Sequence, residues 1–464
     1  MTSAEDGLST GAPPSPRFGR VPRHTVIAAY VGARRRRFTD RQQLARWQQP
    51  RLERALRRAR TAYPFYAQVP EGGLAAFPIL DKRTWLEHFQ QLNARGLTLD
   101  ECLTAARMLE QQRRFDTRLR GLSVGLSTGT SGRQGAFLTS GRERAVWAGT
   151  ILARALPDGL RRRERVALVL RAGGPLYESV GSALVSFRFV DLYEPLVAQA
   201  AALQDVAPTV LAAPPVLLDR LATLLRDGRL RIAPRLVYSV ADVLDPEVAA
   251  RVEAAFGVPL GQIYQATEGF LGITCRHGTM HLNEDLLVVE REEIDTASGR
   301  FVPIVTDLWR TSQAVVRFRM GDVLVPAPQC PCGSGYAAIA RIEGRSDDVL
   351  LLPAAGSGSP PGSGPGDGGL SGGVAGASRE GVSVFADSVR AAVLGVADVA
   401  DFRLTQLAPD RVRLAVDPAQ AHPAAVAALD ALWQRAGVRP PIVEQADHEP
   451  LPSAAKARRV RREF

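Results

Sequence analysis

The chain of 464 residues has very little lysine and no long hydrophobic run. Only two of its 58 basic residues, Lys82 and Lys456, are lysines, and the others are arginines. No apolar run approaches the roughly 18 residues that a membrane-spanning helix needs. The N-terminal segment carries acidic residues, prolines and glycines but no apolar stretch, unlike a signal peptide. These absences argue against a membrane span and predict a cytoplasmic protein.

The sequence also lacks the motifs of nucleic-acid-binding proteins, although its net charge is +10. Arginines cluster only at residues 34–37, 161–163 and 458–462, without a zinc-finger or RNA-recognition pattern. We interpret the clusters as solvated helix faces, with a nucleic-acid site as the less favoured alternative. Apolar residues make up 45% of the chain and charged residues 23%, as in globular proteins, and the length favours two or three domains.

The hydrophobic patterns predict an α/β fold, with a large multi-layer N-terminal domain followed by a small α+β C-terminal domain. Residues 1–22 are polar and rich in proline and glycine, which predicts a disordered tail. From there to residue 109, apolar residues recur every three or four positions, as in helices. Continuous runs of valine, leucine and alanine, typical of strands buried on both faces, stand at residues 166–170, 209–213 and 236–240.

A tract rich in glycine, serine and proline occupies residues 354–378. Such a tract cannot bury a core, so we interpret it as an inserted flexible loop. After it, the pattern predicts a helix at 385–394, a strand at 412–416 and a helix at 423–435. The chain is therefore divided into a large domain at 23–345 and a small domain at 346–464.

The stretch at residues 126–135 combines hydroxyls and glycines directly after an apolar lead-in. Glycines let the backbone approach a ligand closely, and consecutive N–H groups with small hydroxyls form a nest for phosphate oxygens. Because similar loops often serve only as turns, this stretch alone carries little weight. Its candidate phosphate-binding residues are Ser127, Thr128, Gly129, Thr130, Ser131 and Gly132.

Four further segments follow in the sequence. Thr267 and Glu268 come after an apolar strand, where a hydroxyl can meet a phosphate and a carboxylate can bind Mg²⁺. Asp322 stands at a predicted strand end, where an acid can hold ribose hydroxyls. The other two segments span residues 342–348 and 452–460.

These five segments, in this order, resemble the adenylate-forming superfamily of acyl-CoA synthetases, peptide-synthetase adenylation domains and luciferases. The resemblance runs from about residue 63 to the C-terminus. Within the superfamily it is strongest to phenylacetate-CoA ligases and to synthetases that adenylylate a deazaflavin coenzyme. The stretches that carry it are residues 125–132, 264–269, 281–285, 306–311 and 330–333.

The resemblance implies an enzyme that uses ATP and Mg²⁺ and whose loop at 126–135 holds the β- and γ-phosphates. It implies that Thr267 contacts the α-phosphate and that Glu268 binds Mg²⁺. It also implies that Asp322 and Arg345 bind the ribose, and that Asp347 falls at the hinge between the domains. Further nucleotide-binding residues, from the segment against adenine and from the motif before the Thr–Glu pair, are Ser239, Asp242 and Tyr264.

The same resemblance places Lys456 in the active site, where it stabilises charge developing between the carboxylate and the α-phosphate. The scarcity of lysine supports this role, because a planar guanidinium does not replace a compact point charge at a crowded in-line transition state. The alternative is a solvated lysine in a basic tail. The loop lacks the lysine that is usual in the family, so Arg133 or backbone N–H groups with Mg²⁺ take its place. Lys82 is expected on the surface.

Three of the four cysteines and one histidine form a possible metal-binding set, namely Cys275, His281, Cys330 and Cys332. Three thiolates and one imidazole make a closed tetrahedral zinc site, which is structural because no position stays open for water. The branch named above often carries this arrangement. His277 is the alternative imidazole, and incidental thiols are the alternative to zinc. Cys102 is expected in the core.

We therefore predict ATP-dependent adenylation of a carboxylic acid, aromatic or otherwise acyl. Transfer to a thiol of CoA, or of a carrier protein's phosphopantetheine, would follow. Phe137, Trp147 and residues 187–191 are candidates to line the acyl pocket, with ordinary core packing as the alternative. Two other functions stay open, namely adenylylation of a phenolic hydroxyl and nucleotide binding without turnover.

Overall fold

The computed structural model describes residues 22–127, 134–355, 381–449 and 459–464. No helix within these ranges is both long enough and apolar enough to cross a membrane. The tail predicted at 1–22 lies outside the described residues except for Pro22. The helices are α1 (Arg23–Arg35), α2 (Arg41–Ala62), α3 (Lys82–Glu87), α4 (Leu99–Gln111), α5 (Gly141–Ala155), α6 (Pro175–Glu178), α7 (Leu196–Val206), α8 (Pro215–Arg226), α9 (Pro246–Phe256), α10 (Ala386–Leu394) and α11 (His422–Arg435).

The strands fall into a large sheet and three smaller ones. In chain order the first eleven are β1 (Arg118–Leu119), β2 (Leu122–Leu126), β3 (Ala136–Thr139), β4 (Glu164–Leu170), β5 (Val185–Asp191), β6 (Val210–Ala213), β7 (Leu236–Val240), β8 (Leu260–Ala266), β9 (Gly269–Thr274), β10 (Met280–Leu282) and β11 (Leu287–Asp295). The others are β12 (Arg300–Asp307), β13 (Phe318–Arg319), β14 (Asp322–Pro326), β15 (Ala338–Arg345), β16 (Leu350–Leu352), β17 (Val382–Val384), β18 (Asp401–Ala408), β19 (Arg411–Asp417), β20 (Ile442–Ala446) and β21 (Val460–Arg462).

Twelve strands form the central sheet of the large unit, and five of them are parallel, in the order β5-β4-β6-β7-β8. The three apolar runs are β4, β6 and β7, so their prediction as strands is confirmed. Helices α7, α8 and α9 supply the apolar core on one face, and α5 packs within the core on the other. Because both faces are covered, these strands are continuous in apolar residues rather than alternating.

The order of the parallel strands creates a crevice at one end of the sheet. The chain adds β5 on one side of β4 and then β6 on the other side, so the strand order reverses at β4. In open α/β sheets, ligands bind outside the carboxyl ends of the strands at such a switch point. The fold therefore predicts a binding site beyond the ends of β4, β6, β7 and β8.

The remaining strands of the central sheet continue it as an antiparallel half, in the order β8-β9-β10-β15-β14-β12-β11. A separate antiparallel sheet of β1, β2 and β3 carries the hydroxyl-rich loop between β2 and β3. Helix α5 follows directly and begins at a capping box, in which the Ser140 hydroxyl accepts from the Glu143 N–H and the Glu143 carboxylate accepts from the Ser140 N–H. This box fixes Glu143 at the start of the helix, next to the loop.

The smaller unit contains α10, α11, the β16–β17 pair and a four-stranded sheet in the order β20-β19-β18-β21. Its core includes Leu350, Phe402 and Trp433, which are fully buried. The helix, strand and helix predicted after the insertion are α10, β19 and α11, so that prediction is confirmed. Most of the insertion at 354–378 lies outside the described residues, and the boundary at 345–346 stays a prediction.

Candidate active site

A cleft of about 1030 Å³ opens at the carboxyl ends of the parallel strands. Leu170, Pro214, Ala241 and Thr267, which stand at or just after the ends of β4, β6, β7 and β8, all line it. The smaller unit contributes Ala386, Arg390, Arg459 and Val460 to the opposite wall. The cleft therefore lies at the switch point and between the two units.

The hydroxyl-rich loop begins and ends at the cleft. Ser127 N–H donates to the Gly135 carbonyl at 2.7 Å, and Gly135 N–H donates to Ser127 Oγ at 2.7 Å. A side chain at position 135 would bring its Cβ within 2.9 Å of Leu86, so glycine lets the loop close there. Of the residues between these ends, Gln134 is described and lines the cleft. The other six lie outside the described ranges, and they are Thr128, Gly129, Thr130, Ser131, Gly132 and Arg133.

Thr267 and Glu268 form the turn between β8 and β9, on the wall of the cleft. Burial raises the pKa of the Glu268 carboxyl, while a hydrogen bond from Thr267 and the charge of Arg310 oppose the shift. A half-buried carboxylate held beside a hydroxyl is a suitable oxygen ligand for a hard cation such as Mg²⁺. The donor chemistry at this turn therefore fits the metal that the sequence predicts.

Tyr264, Asp322 and Arg345 come together on the same side of the cleft. The Tyr264 hydroxyl donates to Asp322 Oδ2 at 2.6 Å, and burial raises the Tyr264 pKa well above its ordinary value. Asp322 and Arg345 are paired residues of β14 and β15. The Arg345 guanidinium lies directly over Gly321, where a Cβ would come within 2.2 Å of Arg345 Nη2 and would displace that side chain. A carboxylate with hydrogen-bonding neighbours suits a ligand with adjacent hydroxyls.

Ser239 and Asp242 stand at the end of β7, and both line the cleft. Ser239 is 2% exposed, and its hydroxyl oxygen has no hydrogen-bond partner among the described residues. Ala241 between them adopts a left-handed φ of +69°, which turns the chain along the cleft wall. A buried hydroxyl without a protein partner is rare, and a ligand in the cleft would satisfy it.

Of the two lysines, the structure describes only Lys82. Lys82 begins α3 and is half-buried on the cleft lining, so its expected position on the open surface is only partly right. Lys456 lies outside the described residues. Arg459 and Val460, which follow it by three and four positions, line the cleft. Asp347 belongs to the short helix Ser346–Asp348 directly after β15.

An ionic contact joins the two units at the mouth of the cleft. Asp245, next to α9, lies 2.7 Å from Arg459 and 3.2 Å from Arg390. Arg459 also contacts Asp401, within the smaller unit, at 2.7 Å. These charges are largely buried, so they interact more strongly than exposed pairs do. They hold the smaller unit against the cleft in this arrangement.

A narrow apolar cavity of about 130 Å³ adjoins the cleft. Trp147 and Gln265 line both spaces, and Trp147 Nε1 donates to Gln265 Oε1 at 2.8 Å. Of the residues suggested for an acyl pocket, Phe187 lines the cavity and Phe137 lines the cleft. The other lining residues come mainly from α5, β4, β6 and β7, so the cavity lies between α5 and the sheet.

The predicted metal-binding set is brought together away from the cleft. The ligand atoms of Cys275, His281, Cys330 and Cys332 all lie within 4.8 Å of one another. The sulfurs of Cys275 and Cys330 are 3.7 Å apart, and Cys332 Sγ is 3.3 Å from His281 Nε2. In a tetrahedral zinc site with bonds of about 2.3 Å, neighbouring sulfurs lie about 3.8 Å apart. The geometry therefore fits zinc.

Other contacts complete the description of this set. His281 Nδ1 faces the Tyr336 carbonyl at 3.4 Å, which leaves Nε2 for a metal ion and orients the ring. His277, the alternative imidazole, is exposed and outside the set, although its N–H donates to Cys275 Sγ. Cys102 is fully buried in the core, as predicted, and burial raises its pKa to about 12. All four cysteines are free thiols.

Two site residues, Arg310 and Glu143, were not anticipated. Buried Arg310 donates to the Thr267 carbonyl at 2.7 Å, and Glu143 accepts from the N–H and hydroxyl groups of Thr311 and Ser312. The Ser-x-x-Glu capping pattern at 140–143 signals a helix start but not these distant contacts. Nothing in the sequence around Arg310 signals its partner 43 positions away.

Comparison with known proteins identifies the fold. No protein-family model matches the chain, and no curated protein matches its sequence. The structure is similar to 2-hydroxyisobutyryl-CoA ligase in the postadenylation state with 2-HIB-AMP, at 18% identity and a TM-score of 0.61, over 89% of this chain and 88% of that one. The open form of that ligase, with 2-HIB-AMP and CoA, gives 19% identity and a TM-score of 0.54, over 89% and 90%.

A second kind of enzyme shares the architecture. The amide bond synthetase McbA from Marinactinospora thermotolerans aligns with 75% of this chain and 69% of its own, at 15% identity and a TM-score of 0.50. Identities this low establish architecture and leave activity to be argued from the site. The chain therefore shares the fold of these two enzymes, which agrees with the α/β architecture predicted from its sequence.

Proposed function

We propose that the protein is an AMP-forming ligase that adenylates a carboxylic acid with ATP and passes the acyl group to a thiol. The observation that carries this proposal is the convergence of Glu268, Asp322, Arg345 and the ends of the 127–135 loop on one cleft. Each had been predicted from a separate sequence motif, and the cleft lies in a fold shared with acid-activating enzymes.

In the first step, a carboxylate oxygen would attack the α-phosphate of ATP, forming an acyl-adenylate and releasing pyrophosphate. Glu268 would hold Mg²⁺, which neutralises phosphate charge when bound. Thr267 would contact the α-phosphate, and Asp322 with Arg345 would hold the ribose. The adenine would lie against the Ser239–Asp242 segment, with Tyr264 beside it.

Lys456 is proposed as the group that stabilises charge between the carboxylate and the α-phosphate. Its position just before Arg459 and Val460, which line the cleft, supports this assignment. An ammonium can approach the reacting oxygens as a point charge and is worth most where water is excluded. Asp347 is proposed as the hinge at which the smaller domain would then rotate.

The apolar side cavity favours an acid with a compact apolar group, either an aryl ring or a branched aliphatic chain. A cavity of about 150 Å³ lined by apolar side chains binds benzene, so a space of this kind accepts one ring. The cavity of about 130 Å³ is close to that size. A charged group would fit it poorly because its lining is almost wholly apolar, and a long acyl chain would exceed its volume.

Narrowing the cavity should shift the choice of acid. Ala212 lines it from β6 and is 6% exposed. We expect Ala212→Leu to lower kcat/KM for benzoate-sized acids by about tenfold relative to acetate or propionate, because the added carbons occupy the ring's space. Steady-state kinetics with a panel of acids measures this ratio.

The matched control is Ala213→Leu, on the same strand but facing the core on the opposite side of the sheet. It should destabilise the protein without changing the ratio of kcat/KM values. Equal ratios in the two variants would show that the cavity does not hold the acyl group.

The acceptor is proposed to be the thiol of CoA, or of a phosphopantetheine arm on an acyl carrier protein. The four free thiols suit a reducing compartment, so we place the reaction in the cytoplasm. The set Cys275, His281, Cys330 and Cys332 is proposed to bind a structural zinc ion that ties β9, β10 and the 326–338 loop together.

Zinc content tests this second proposal independently of activity. The purified protein should contain about one zinc ion per chain. We expect His281→Ala to lose the metal and to unfold at a lower temperature, because an open site with three thiolates binds zinc less tightly. His277→Ala is the control and should keep both properties. Loss of zinc from His277→Ala but not from His281→Ala would reverse the ligand assignment.

The adenylation proposal is tested by exchange of labelled pyrophosphate into ATP. Exchange that requires an added carboxylate is the expected result. Exchange that requires a phenol instead would identify a nucleotidyltransferase acting on a hydroxyl. If the protein binds nucleotide but shows no exchange with any acid tested, it is a nucleotide-binding protein without catalytic turnover.

A further inference from the structure

Arg310 joins the Thr267–Glu268 turn to β3 through one guanidinium group. Its Nη1 donates to the Thr267 carbonyl at 2.7 Å, within the Thr267–Glu268 turn. Its Nη2 donates to the Leu138 carbonyl at 3.1 Å, on the strand that leaves the 127–135 loop. These two elements are far apart in the sequence and share no strand pairing. The guanidinium therefore sets the distance between the turn and β3.

The backbone that carries Arg310 is itself firmly held. Gln313 Oε1 accepts from the Leu138 N–H at 3.0 Å, and the Ser312 hydroxyl donates to the Leu138 carbonyl at 2.8 Å. The Glu143 carboxylate accepts from Ser312 N–H at 2.8 Å. Segment 310–313 is thus fastened to β3 and to the start of α5. An arginine on such a support holds its partners in one geometry.

Arg310 also brings a positive charge to the lining of the cleft. Arg310 is 9% exposed and lines the cleft, and its hydrogen-bond partners are uncharged oxygens. Its Nε has no partner among the described residues. The guanidinium charge of Arg310 acts on the carboxyls of Glu268, Glu143 and Asp307 and tends to lower the pKa of each. These carboxyls offset the cost of burying the cation, so the charge links the turn that carries Glu268 to the start of α5.

We infer that Arg310 is a positioning residue for nucleotide binding, which holds the Thr267–Glu268 turn at a fixed distance from β3. This inference rests on the proposed function. In this role Arg310 does not contact the reacting atoms and does not bind the acid. Its removal should therefore weaken binding of the magnesium nucleotide and leave recognition of the acid largely intact.

The test compares Arg310→Lys and Arg310→Met with the control Arg317→Met. Arg317 lies outside the cleft lining and also holds a backbone carbonyl, that of Phe77, at 3.0 Å. We expect Arg310→Met to raise KM for MgATP by about tenfold or more in pyrophosphate exchange, with the acid KM within about twofold. Arg310→Lys should fall between this variant and the wild type, because one ammonium cannot span both carbonyls. Thermal unfolding confirms that each variant folds.

Equilibrium binding of a non-hydrolysable ATP analogue with Mg²⁺ gives a readout that does not depend on turnover. Weaker binding by Arg310→Met than by Arg317→Met supports the inference, even if no carboxylate promotes exchange in the wild type. Equal binding by the two variants, or a parallel rise in KM for the acid and for MgATP, would overturn it. Absence of exchange in the wild type counts against the proposed function alone.

Discussion

Replacing Lys456 with alanine should lower carboxylate-dependent pyrophosphate–ATP exchange by about 10²- to 10³-fold, the loss typical when one preorganised charge-stabilising group is removed. The ammonium would act on charge that develops in the transition state, so kcat should fall far more than the KM for ATP rises. Lys456→Arg should restore little, because the planar guanidinium needs more room than a point charge.

The chain supplies its own control for this experiment, since its only other lysine is Lys82. Lys82→Ala removes the same charge from the edge of the cleft and should change kcat by less than about threefold. Full exchange by Lys456→Ala would remove this lysine from the adenylation step. This result would favour the alternative, in which Lys456 is a solvated lysine in a basic tail.

Glu268→Gln should have an effect of similar size, about 10²- to 10³-fold on exchange. Glutamine keeps the shape of the side chain and removes its charge, so a hard cation loses a carboxylate ligand. The concentration of Mg²⁺ needed for half-maximal exchange should rise together with the KM for ATP. Titration of Mg²⁺ at fixed total ATP separates these effects from a general loss of activity.

Glu290→Gln is the matched control for that variant. Glu290 is a half-buried carboxylate that pairs with Arg317 outside the cleft lining. Its replacement should lower the unfolding temperature and leave the Mg²⁺ dependence unchanged. If Glu268→Gln behaves like this control, the metal is held elsewhere.

The secondary structure that sequence alone predicted correctly is the part governed by local pattern. The runs that became β4, β6 and β7 are largely apolar, with exceptions such as Ser239, because both faces of the parallel strands are buried. Helix α11 was visible from its periodic apolar residues, which end in Trp433. The order of strands in the sheet was not visible, because it depends on pairing between residues far apart in the chain.

The residues of the candidate site likewise fall into those that local motifs predict and those that they do not. Thr267, Glu268 and the candidate metal-binding cysteines could be named because each stands in a short, recognisable motif. The cysteine set was named from its spacing together with the family resemblance, and the structure brings its ligand atoms together. In contrast, Glu143 reaches Ser312 from 169 positions away, and no local pattern encodes that contact. Buried polar partners of this kind are found only from coordinates.

The apolar side cavity also could not be predicted from the sequence, but for a different reason. Its walls come from α5 and from several strands, and the same apolar residues would read as ordinary core in any single segment. Trp147 and Phe187 could be nominated as aromatic, but their shared cavity depends on how α5 lies across the sheet. The proposed size limit on the acid therefore depends on the tertiary structure and not on any single segment.

The fate of the carboxylate oxygens tests the central claim most directly. With an acid labelled with ¹⁸O in both carboxylate positions, one oxygen should remain in the thioester and the other should leave with AMP. This follows because the acid's oxygen attacks the α-phosphate and the C–O bond breaks when the thiol takes the acyl group. Mass spectrometry of the products should show one ¹⁸O in AMP. Unlabelled AMP, or label in inorganic phosphate, would contradict the account.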